Sequence, residues 1–367
     1  MAYFIRGTGQ AVTPLKHSFD IFQQYMLNMF FKNMMGKKGS DKPIIVDDSL
    51  FKGRDAGDVG RYHFIPQFRG KGIRGQNASV IGNENSLDEY YMDIRIDQIT
   101  QAFAKKGKMT TKRMIWDFRE EAKSQLAEWF RMQTELDIID SLSGYNTDGA
   151  TYIEGEEALT LDAVNGSGRC IRPDYDSGTF TAVEVSAANS DTTSLLSALE
   201  TGDVMNTYLL DVLQDFAKTA NGKYAMKPIR CKNGEEYYML VLHPKAAISL
   251  RNDERWEKRA LASMTGRGSL EGDPIATGAI GVWEHIIVRE AEFIKTHENK
   301  SGTKKIARNL LLGAEAAVMA YGQTLDYTEE LLDHQRVISD AADEIRGIKK
   351  ITFDGVDLNV AQVPCAI

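Results

Sequence analysis

The spacing of hydrophobic and polar positions changes several times along the chain, and each change marks an element. From Leu15 to Met35 apolar residues recur every three or four positions: Phe19, Phe22, Met26, then Met29 or Phe30, with Phe31 and Met34 widening the stripe. That spacing predicts an amphipathic helix, ended by Gly36-Lys37-Lys38-Gly39-Ser40. From Val59 to Phe103 the pattern turns β-like. An outgoing arm, Arg61 to Phe68, leads into a Gly/Asn-rich segment and returns as Tyr90 to Asp97. Two β-rich arms joined in this way predict a long hairpin with a glycine-rich tip. The arms alternate loosely and carry many polar side chains. A two-stranded ribbon is marginal alone in water, so the hairpin is expected to rest on another surface, on its own body or on a neighbouring subunit.

Lys105-Lys106-Gly107-Lys108 closes the hairpin as a candidate hinge. The longest helical pattern follows, from about Thr111 to Leu142. Ile115, Phe118, Ala122, Leu126, Trp129, Met132, Leu136 and Ile139 step by three or four throughout. Thr111 suits an N-cap and Ser143-Gly144 supplies a stop. A helix of that length would run about 45 Å, enough for a spine with different neighbours at its two ends. Residues 145–203 are rich in Gly, Ser, Thr, Asp and Asn. They carry eleven acidic residues against Arg169 and Arg172, and read as a solvated insertion with short strands.

The second half alternates between the two periods. Asn206–Lys218 reads as a helix, Lys227–Arg230 and Tyr237–Leu242 as strands. Pro244 opens a helix running through Trp256, Pro being well tolerated at N1. Val282–Glu290 reads as one strand. Ala307–Leu312 reads as a buried strand that turns into a small-residue helix through Ala320. Residues 325–367 lean towards β structure, with turns at Asp354-Gly355 and near Pro364.

Charge and composition narrow the function. Forty-four basic against 52 acidic residues leave a net charge of −8, which argues against general nucleic-acid binding, since phosphate neutralisation needs excess Lys and Arg. Cys170, Cys231 and Cys365 are far apart and lack metal or disulfide spacing. No apolar run reaches the roughly 18 residues of a membrane span, and Met1–Gly7 lacks a signal-peptide core. The N-terminal helix has three readings: packing on its own body, docking on a neighbour, or touching a membrane. Its weakly basic polar face argues against the last.

Candidate chemistry is sparse. Gly70-Lys71-Gly72-Ile73-Arg74-Gly75 fits the dinucleotide-binding spacing, with Asp97 where a ribose-binding acid would lie. Such a loop must open a helix whose N-terminus holds the pyrophosphate. Here turn and strand residues follow instead, so no cofactor is expected. Asp174-Tyr175-Asp176-Ser177-Gly178 resembles part of a calcium loop but lacks the later acidic positions. The six histidines do not cluster in a metal-binding pattern, and no metal is expected. His243 and His285, each near carboxylates, are the residues an enzyme would use. No nucleophile motif accompanies them, and no catalytic residue is assigned. The hairpin divides its charge. Arg61, Arg69, Lys71 and Arg74 lie on the outgoing arm and tip; Glu84, Asp88, Glu89, Asp93 and Asp97 lie on the return. Ordinary cross-strand pairing and complementarity with a neighbouring subunit both fit this division.

The order of parts resembles the HK97-like capsid fold, an α+β architecture. Several segments carry the resemblance further. Gly70 to Glu84 is similar to the hairpin tip of phage N4-like major capsid proteins, and Ile94-Arg95-Ile96-Asp97-Gln98 to the segment after it. Leu242-His243-Pro244-Lys245 through Leu250-Arg251-Asn252-Asp253-Glu254-Arg255-Trp256 resembles another block of that family. So do Gly278–Trp283 and Leu311–Ala316.

The resemblance implies a division of the chain: an N-terminal arm over 1–58, an extended hairpin over 59–108, and a peripheral domain over 109–228 holding the spine helix and the 145–203 insertion. An axial domain over 229–324 and a return to the peripheral domain over 325–367 complete it. It implies a major capsid protein of a tailed phage, self-assembling into hexamers and pentamers of an icosahedral shell. The shell would enclose double-stranded DNA without sequence-specific binding and without a membrane. The arm would embrace another subunit. The hairpin would overlie a neighbour through Arg69, Gly70, Lys71, Gly72, Arg74 and Gly75. A separate scaffolding protein, a portal and a decoration protein are implied partners, with assembly in the host bacterial cytoplasm and residence in the virion. Some relatives crosslink Lys to Asn; Lys71 and Asn359 are the pair this sequence offers. An encapsulin-like nanocompartment shell and a soluble α/β enzyme are the alternatives.

Overall fold

The computed structural model of the protein describes residues 9–51, 57–65, 89–106, 108–113, 118–143, 169–176, 179–185, 199, 202–219, 225–231, 234–263, 278–298, 305–332, 337–353 and 356–367. In chain order the first half holds α1 (Gly9–Asn28), a 3-10 turn (Phe30–Met34), β1 (Met35–Lys37), β2 (Ile44–Asp47), β3 (Val59–Phe64), β4 (Tyr90–Arg95), β5 (Asp97–Lys106), α2 (Lys108–Arg113), α3 (Phe118–Ser143), β6 (Cys170–Asp176) and β7 (Thr179–Val185). The second half holds α4 (Thr207–Thr219), β8 (Ile229–Arg230), β9 (Glu236–Leu242), α5 (Pro244–Arg251), α6 (Glu254–Ser263), β10 (Gly281–Trp283), β11 (Ile286–Glu290), β12 (Thr296–Glu298) and β13 (Lys305–Leu312). It ends with β14 (Ala317–Leu332), β15 (Val337–Lys350), β16 (Thr352–Phe353), β17 (Val356–Asp357) and β18 (Val360–Ala366).

Two sheets organise these elements. A five-stranded sheet runs β1-β2-β14-β15-β5, and a nine-stranded sheet runs β10-β11-β9-β13-β18-β6-β7, with β8 and β12 paired at its side. Helices α1 and α3 pack against each other and on the five-stranded sheet, while α3 also reaches β13. One apolar cluster therefore joins Ile21 and Tyr25 of α1, Leu126, Phe130 and Ile139 of α3, Met319 and Ile348 of one sheet, and Met239, Val241 and Leu310 of the other. A second cluster lies on the far face of the nine-stranded sheet, where Leu209, Leu213, Leu250, Trp256 and Trp283 cover Leu240, Val288 and Leu311.

The N-terminal helix packs on its own body, while Phe19 and Leu27 on its other side stay 63% and 52% exposed. Its two innermost side chains, Ile21 and Tyr25, are each 1% exposed. No helix among the described residues is long and apolar enough to cross a membrane. The long helical pattern appears as α2 and α3, with 114–117 outside the described residues; α2 already starts at Lys108. Buried residues on α3 differ from the apolar stripe. Met132 is exposed, whereas Thr134, Asp137 and Asp140 are buried.

Three further expectations change. The small-residue run after β13 is not a helix but a turn into β14. The N–H groups of Ala314, Glu315 and Ala316 donate to the carbonyls of Lys227, Lys42 and Pro43. Glu315 sits at φ 55°. The left-handed backbone at Glu315 leaves the helical path, and from Ala317 the chain is paired with β2 and β15. The helix expected over 244–256 breaks at Asn252-Asp253. There the Asp253 carboxylate accepts from Arg255 N at 2.9 Å and from Thr207 N at 2.8 Å, restarting the chain as α6 and capping α4. The strand expected over 282–290 folds at Glu284-His285, with Glu284 at φ 49°, into the antiparallel pair β10 and β11.

The tail also divides. Residues up to 350 extend the five-stranded sheet, but β18 pairs with β13 and, through Gln362, with Cys170 of β6. Val360–Ala366 thus belongs with the central strands rather than returning as one unit with 325–350. The 145–203 segment contributes β6 and β7 to the same sheet.

A buried ionic network fixes α1, α3 and the five-stranded sheet in one arrangement. Arg346, fully buried on β15, donates to Asp137 of α3 at 2.5 Å and to Glu344 at 3.3 Å, and bonds Thr134 as well. Tyr25 of α1 donates to the second oxygen of Glu344 at 3.1 Å and lies 3.4 Å from the Tyr321 hydroxyl. Burial raises the carboxyl groups of Asp137 and Glu344 above their ordinary range, and Arg346 pulls them back. Burial opposes the charge of Arg346, but Glu344 and Asp137 outweigh it and hold the guanidinium above its ordinary value. One turn further along α3, burial pushes Asp140 up to about 6, although Lys295 lies 3.3 Å away.

Arg346→Met leaves Asp137 and Glu344 buried without their cation. It is expected to destabilise the unassembled subunit by about 3–5 kcal/mol, read as a lower urea midpoint; adding Asp137→Asn and Glu344→Gln should recover part of the loss. Asp140 has the opposite sign. Its folded-state pKa lies above the ordinary 3.8, so its stabilising contribution is complete below that pH and is lost as pH rises through about 6. Asp140→Asn should therefore stabilise the subunit by about 2–3 kcal/mol at pH 8 and by nearly nothing below pH 4. Unfolding curves across that range check it.

Candidate functional site

The base of the hairpin is a ribbon of β3 and β4 with strict alternation. Val59 pairs with Arg95 and Phe64 with Tyr90. Tyr62, Phe64, Met92 and Ile94 point inward and pack with Phe51, Ile45, Val318, Ala320 and Ile351 against the five-stranded sheet. In the sequence the alternation looks loose because the outward positions mix aromatic, apolar and charged side chains. Gly60 allows the close approach: a Cβ there would sit 2.6 Å from the Phe51 ring. The return arm continues as β5, paired with β15 from Asp97↔Arg346 to Lys106↔Val337. The hairpin base thus rests on its own body, as a two-stranded ribbon must.

The outward face of the ribbon is polar and aromatic. Arg61 Nε lies 2.9 Å from Asp93 Oδ1, and its guanidinium sits 4.1 Å from the Tyr91 ring centroid. The bond to Arg61 holds Asp93 below the usual carboxylate range. His63 Nδ1 lies 3.1 Å from Glu89. At this end of the hairpin the divided charge is ordinary cross-strand pairing. Arg69, Gly70, Lys71, Gly72, Arg74 and Gly75, the predicted contact residues of the tip, lie outside the described residues, as do Glu84 and Asp88. The glycine spacing of 70–75 lies there too. Asp97, its proposed acidic partner, starts β5 and accepts from Gln98 N at 2.8 Å.

The other candidate residues serve the fold. His243 caps α5, its Nδ1 accepting from Lys245 N at 3.2 Å, and burial lowers its pKa. His285 Nδ1 lies 3.0 Å from the Glu236 carbonyl, in the turn between β10 and β11. The two histidines occupy different turns and are not brought into one constellation. Asp174 and Asp176 belong to β6, opposite Thr181 and Thr179. They are strand residues, not positions of a helix-flanked calcium loop. Among the described residues no group of three or more His, Cys, Asp or Glu is placed to hold a metal ion.

Asn359 is 2% exposed. Its Oδ1 accepts from Lys227 N at 2.8 Å and its Nδ2 donates to the Glu315 carbonyl at 3.1 Å. Both ends of this amide are committed within the subunit, which is unsuited to a crosslink acceptor. It lies at the floor of a cleft of about 780 Å³ between the ribbon and β9. Within the cleft Lys227 pairs with Glu315 at 2.9 Å and Arg230 with Glu236 at 3.5 Å.

Sequence reasoning missed the most constrained polar residues of the subunit: Tyr25, Thr134, Asp137, Glu344 and Arg346. The available signal was polar residues at inward helical and strand positions. The described surface carries exposed large apolar side chains, among them Phe19, Leu27, Ile65, Tyr91 and Ile248, an arrangement suited to association.

Comparison with known proteins agrees with that character. A family model described as phage capsid protein matches residues 6–363. The major capsid protein of Pseudomonas phage KPP25 is 29% identical over 236 residues, 62% of this chain and 57% of that relative, so the chain spans little more than half the relative's length. Among solved structures, the capsid of Ralstonia phage GP4 superposes with a TM-score of 0.72 at 22% identity, covering 92% of this chain and 91% of that one. The capsid asymmetric unit of cyanophage Pam1 gives 0.69 at 20% identity with coverage of 92% and 91%. The capsid of Helicobacter pylori bacteriophage KHP30 gives 0.63 at 16%, covering 92% and 90%. The fold is therefore the α+β, HK97-like capsid fold. The N4-like subdivision is an expectation from the sequence alone.

The close contact at Gly60 gives a local test of the ribbon. Gly60→Val drives a side chain into Phe51 and is expected to cost about 1–3 kcal/mol. The cost should fall on the ribbon. Amide exchange over Tyr90–Arg95 should accelerate, while exchange over Glu236–Leu242 in the nine-stranded sheet stays unchanged.

Proposed function

The chain belongs to the phage capsid protein family, and from that premise we propose that it is the major capsid protein of a tailed phage. Its work is self-assembly into an icosahedral shell around double-stranded DNA. The observation that carries this reading is the family match over residues 6–363, with the same fold covering nine-tenths of this chain and of each compared capsid subunit. Such a shell is built from many modest interfaces repeated by symmetry. The subunits would gather as hexamers and pentamers. A separate scaffolding protein, a portal and a decoration protein would be partners, assembly would take place in the host bacterial cytoplasm, and the product would be the virion. The net charge of −8 suits a lining that does not grip packaged DNA.

The body around the five-stranded sheet, with α1 and α3, would form the peripheral domain, and the nine-stranded sheet with α4–α6 the axial domain. The ribbon base, seated on its own body, would direct the tip over an adjacent subunit. Arg69, Gly70, Lys71, Gly72, Arg74 and Gly75 would make that contact, the basic side chains fixing its register.

Protein produced alone and together with its scaffolding protein, examined by size-exclusion chromatography and negative-stain microscopy, tests the reading: closed shells are expected in at least one case, and small oligomers alone in both would overturn it. Reversing Arg69, Lys71 and Arg74 to Glu should leave a folded, soluble subunit whose shell yield falls about tenfold or more, the equivalent of some 1.4 kcal/mol or more at the contact. Normal shells from that variant would remove the tip from the interface.

A further inference from the structure

The five-stranded sheet ends on an unusual edge. Its other outer strand, β1, has three residues, and the outer strand β10 of the larger sheet also has three. Strand β5 has ten, Asp97–Lys106. It pairs with β15 along one side, and among the described residues nothing pairs with its other side. Between Gln98 and Ala104 it carries no charge and no proline. A long, uncharged edge is a template for another strand, and proteins normally shorten, charge or cover such edges. Here neither charge nor proline protects seven consecutive residues, and no strand among the described residues covers their open side.

Resting on the reading that this chain assembles with itself, we propose that the open edge of β5 pairs antiparallel with β5 of a second copy, about a two-fold axis at Gln101. Opposed residues in an antiparallel pair are of one kind, both hydrogen-bonded or both not. A strand paired with its own copy is therefore restricted to alternate registers. The register centred on Gln101 places Asp97 opposite Lys105 at both ends, Ile99 opposite Phe103, Gln98 opposite Ala104, and Thr100 opposite Ala102. Ile99 and Phe103 are half-buried and pack on the main apolar cluster, so the pairing extends that apolar layer across the contact. The residues between them, Gln98, Thr100, Ala102 and Ala104, are exposed.

Lys105 is 6% exposed, its ammonium 5.2 Å from the Phe118 ring centroid. Among the described residues no carboxylate pairs with it, and Asp97 of the second copy would supply one. Centring one position earlier or later loses these matches. A centre at Thr100 opposes Asp97 with Phe103, and a centre at Ala102 opposes Ile99 with Lys105. The chosen register is isologous, each copy giving and receiving the same contacts, and it joins two five-stranded sheets into one.

Disulfide trapping in assembled particles tests the register. Opposed Cβ atoms in such a pair lie within reach of a disulfide, and the native Cys170, Cys231 and Cys365 are buried. Mild oxidation of shells made from Gln101→Cys should move most of the chain to twice its mass on a non-reducing gel. Gln98→Cys, whose copies would lie about 20 Å apart along the strands, should stay monomeric. A monomeric Gln101→Cys chain in intact shells would overturn the proposal. If that variant fails to assemble, hydrogen exchange on the unaltered chain decides. Peptides spanning 97–106 should gain protection on passing from free subunit to shell, and no gain would overturn the pairing. Protection of 97–106 alongside a monomeric Gln101→Cys would mean another segment covers the edge, which also overturns it. Intact shells with a failed β5 contact leave the capsid reading standing, whereas no shells from the unaltered chain, alone or with its scaffolding protein, would sink both.

Discussion

Arg346 is the residue on which the architecture depends. A single buried guanidinium is held between two carboxylates, Asp137 on the long helix and Glu344 on its own strand. Tyr25 extends the network to the first helix. Placing three ionisable groups out of water is costly unless each finds its partner in good geometry. The arrangement therefore admits one registration of helix against sheet, and a shifted helix would strand a charge. Apolar packing alone tolerates small slides of one element over another; this network does not. It also explains why the inward side of the long helix includes Thr134 and Asp137, while Met132 on the apolar stripe points outward.

The same helix links the two sheets through its C-terminal turns. Carboxylates at the end of a helix oppose its dipole, and burial adds to that cost. Asp140 is offset by Lys295, which lies beside the nine-stranded sheet. The helix is thus tied to the five-stranded sheet by Arg346, and its C-terminal turns face the other sheet, where Lys295 offsets only part of the cost of burying Asp140. A body fixed in this way can hold projecting surfaces in defined directions. The hairpin ribbon is clamped by Tyr62, Phe64, Met92 and Ile94, and its return arm flows directly into the β5 edge. A load taken by the hairpin would pass through one continuous stretch of chain into the sheet that Arg346 anchors. In the proposed shell, contacts made by the hairpin would be coupled in this way to the subunit's most constrained interior.

Strong periodicity made part of this legible in the sequence. Twenty-six residues of amphipathic spacing gave α3, an Asn206 start gave α4, and the strand-Pro junction at His243-Pro244 gave β9 and α5. The hairpin followed from two β-rich arms around a glycine-rich segment. Collinear segments from Gly70 to Ala316 carried the resemblance to capsid proteins. These features are local or ordered along the chain, so a linear reading reaches them.

Tertiary structure decided what depends on distant partners. Ala314–Ala320 has the composition of a helix, yet Glu315 turns through a positive φ and Ala317–Ala320 is paired on both sides, with β2 and β15. The N-terminal helix reads as packing on its own body or on a neighbour; burial of Ile21 and Tyr25 shows that one of its faces is taken by its own body. Val360–Ala366 joined the central strands because β13 offered a matching edge. Asp137, Glu344 and Arg346 are ordinary polar letters in the sequence, separated by more than two hundred residues from helix to strand. Their importance arises only when folding removes water from all of them at once, since the cost of burying a charge is set by what surrounds it and not by its place in the chain.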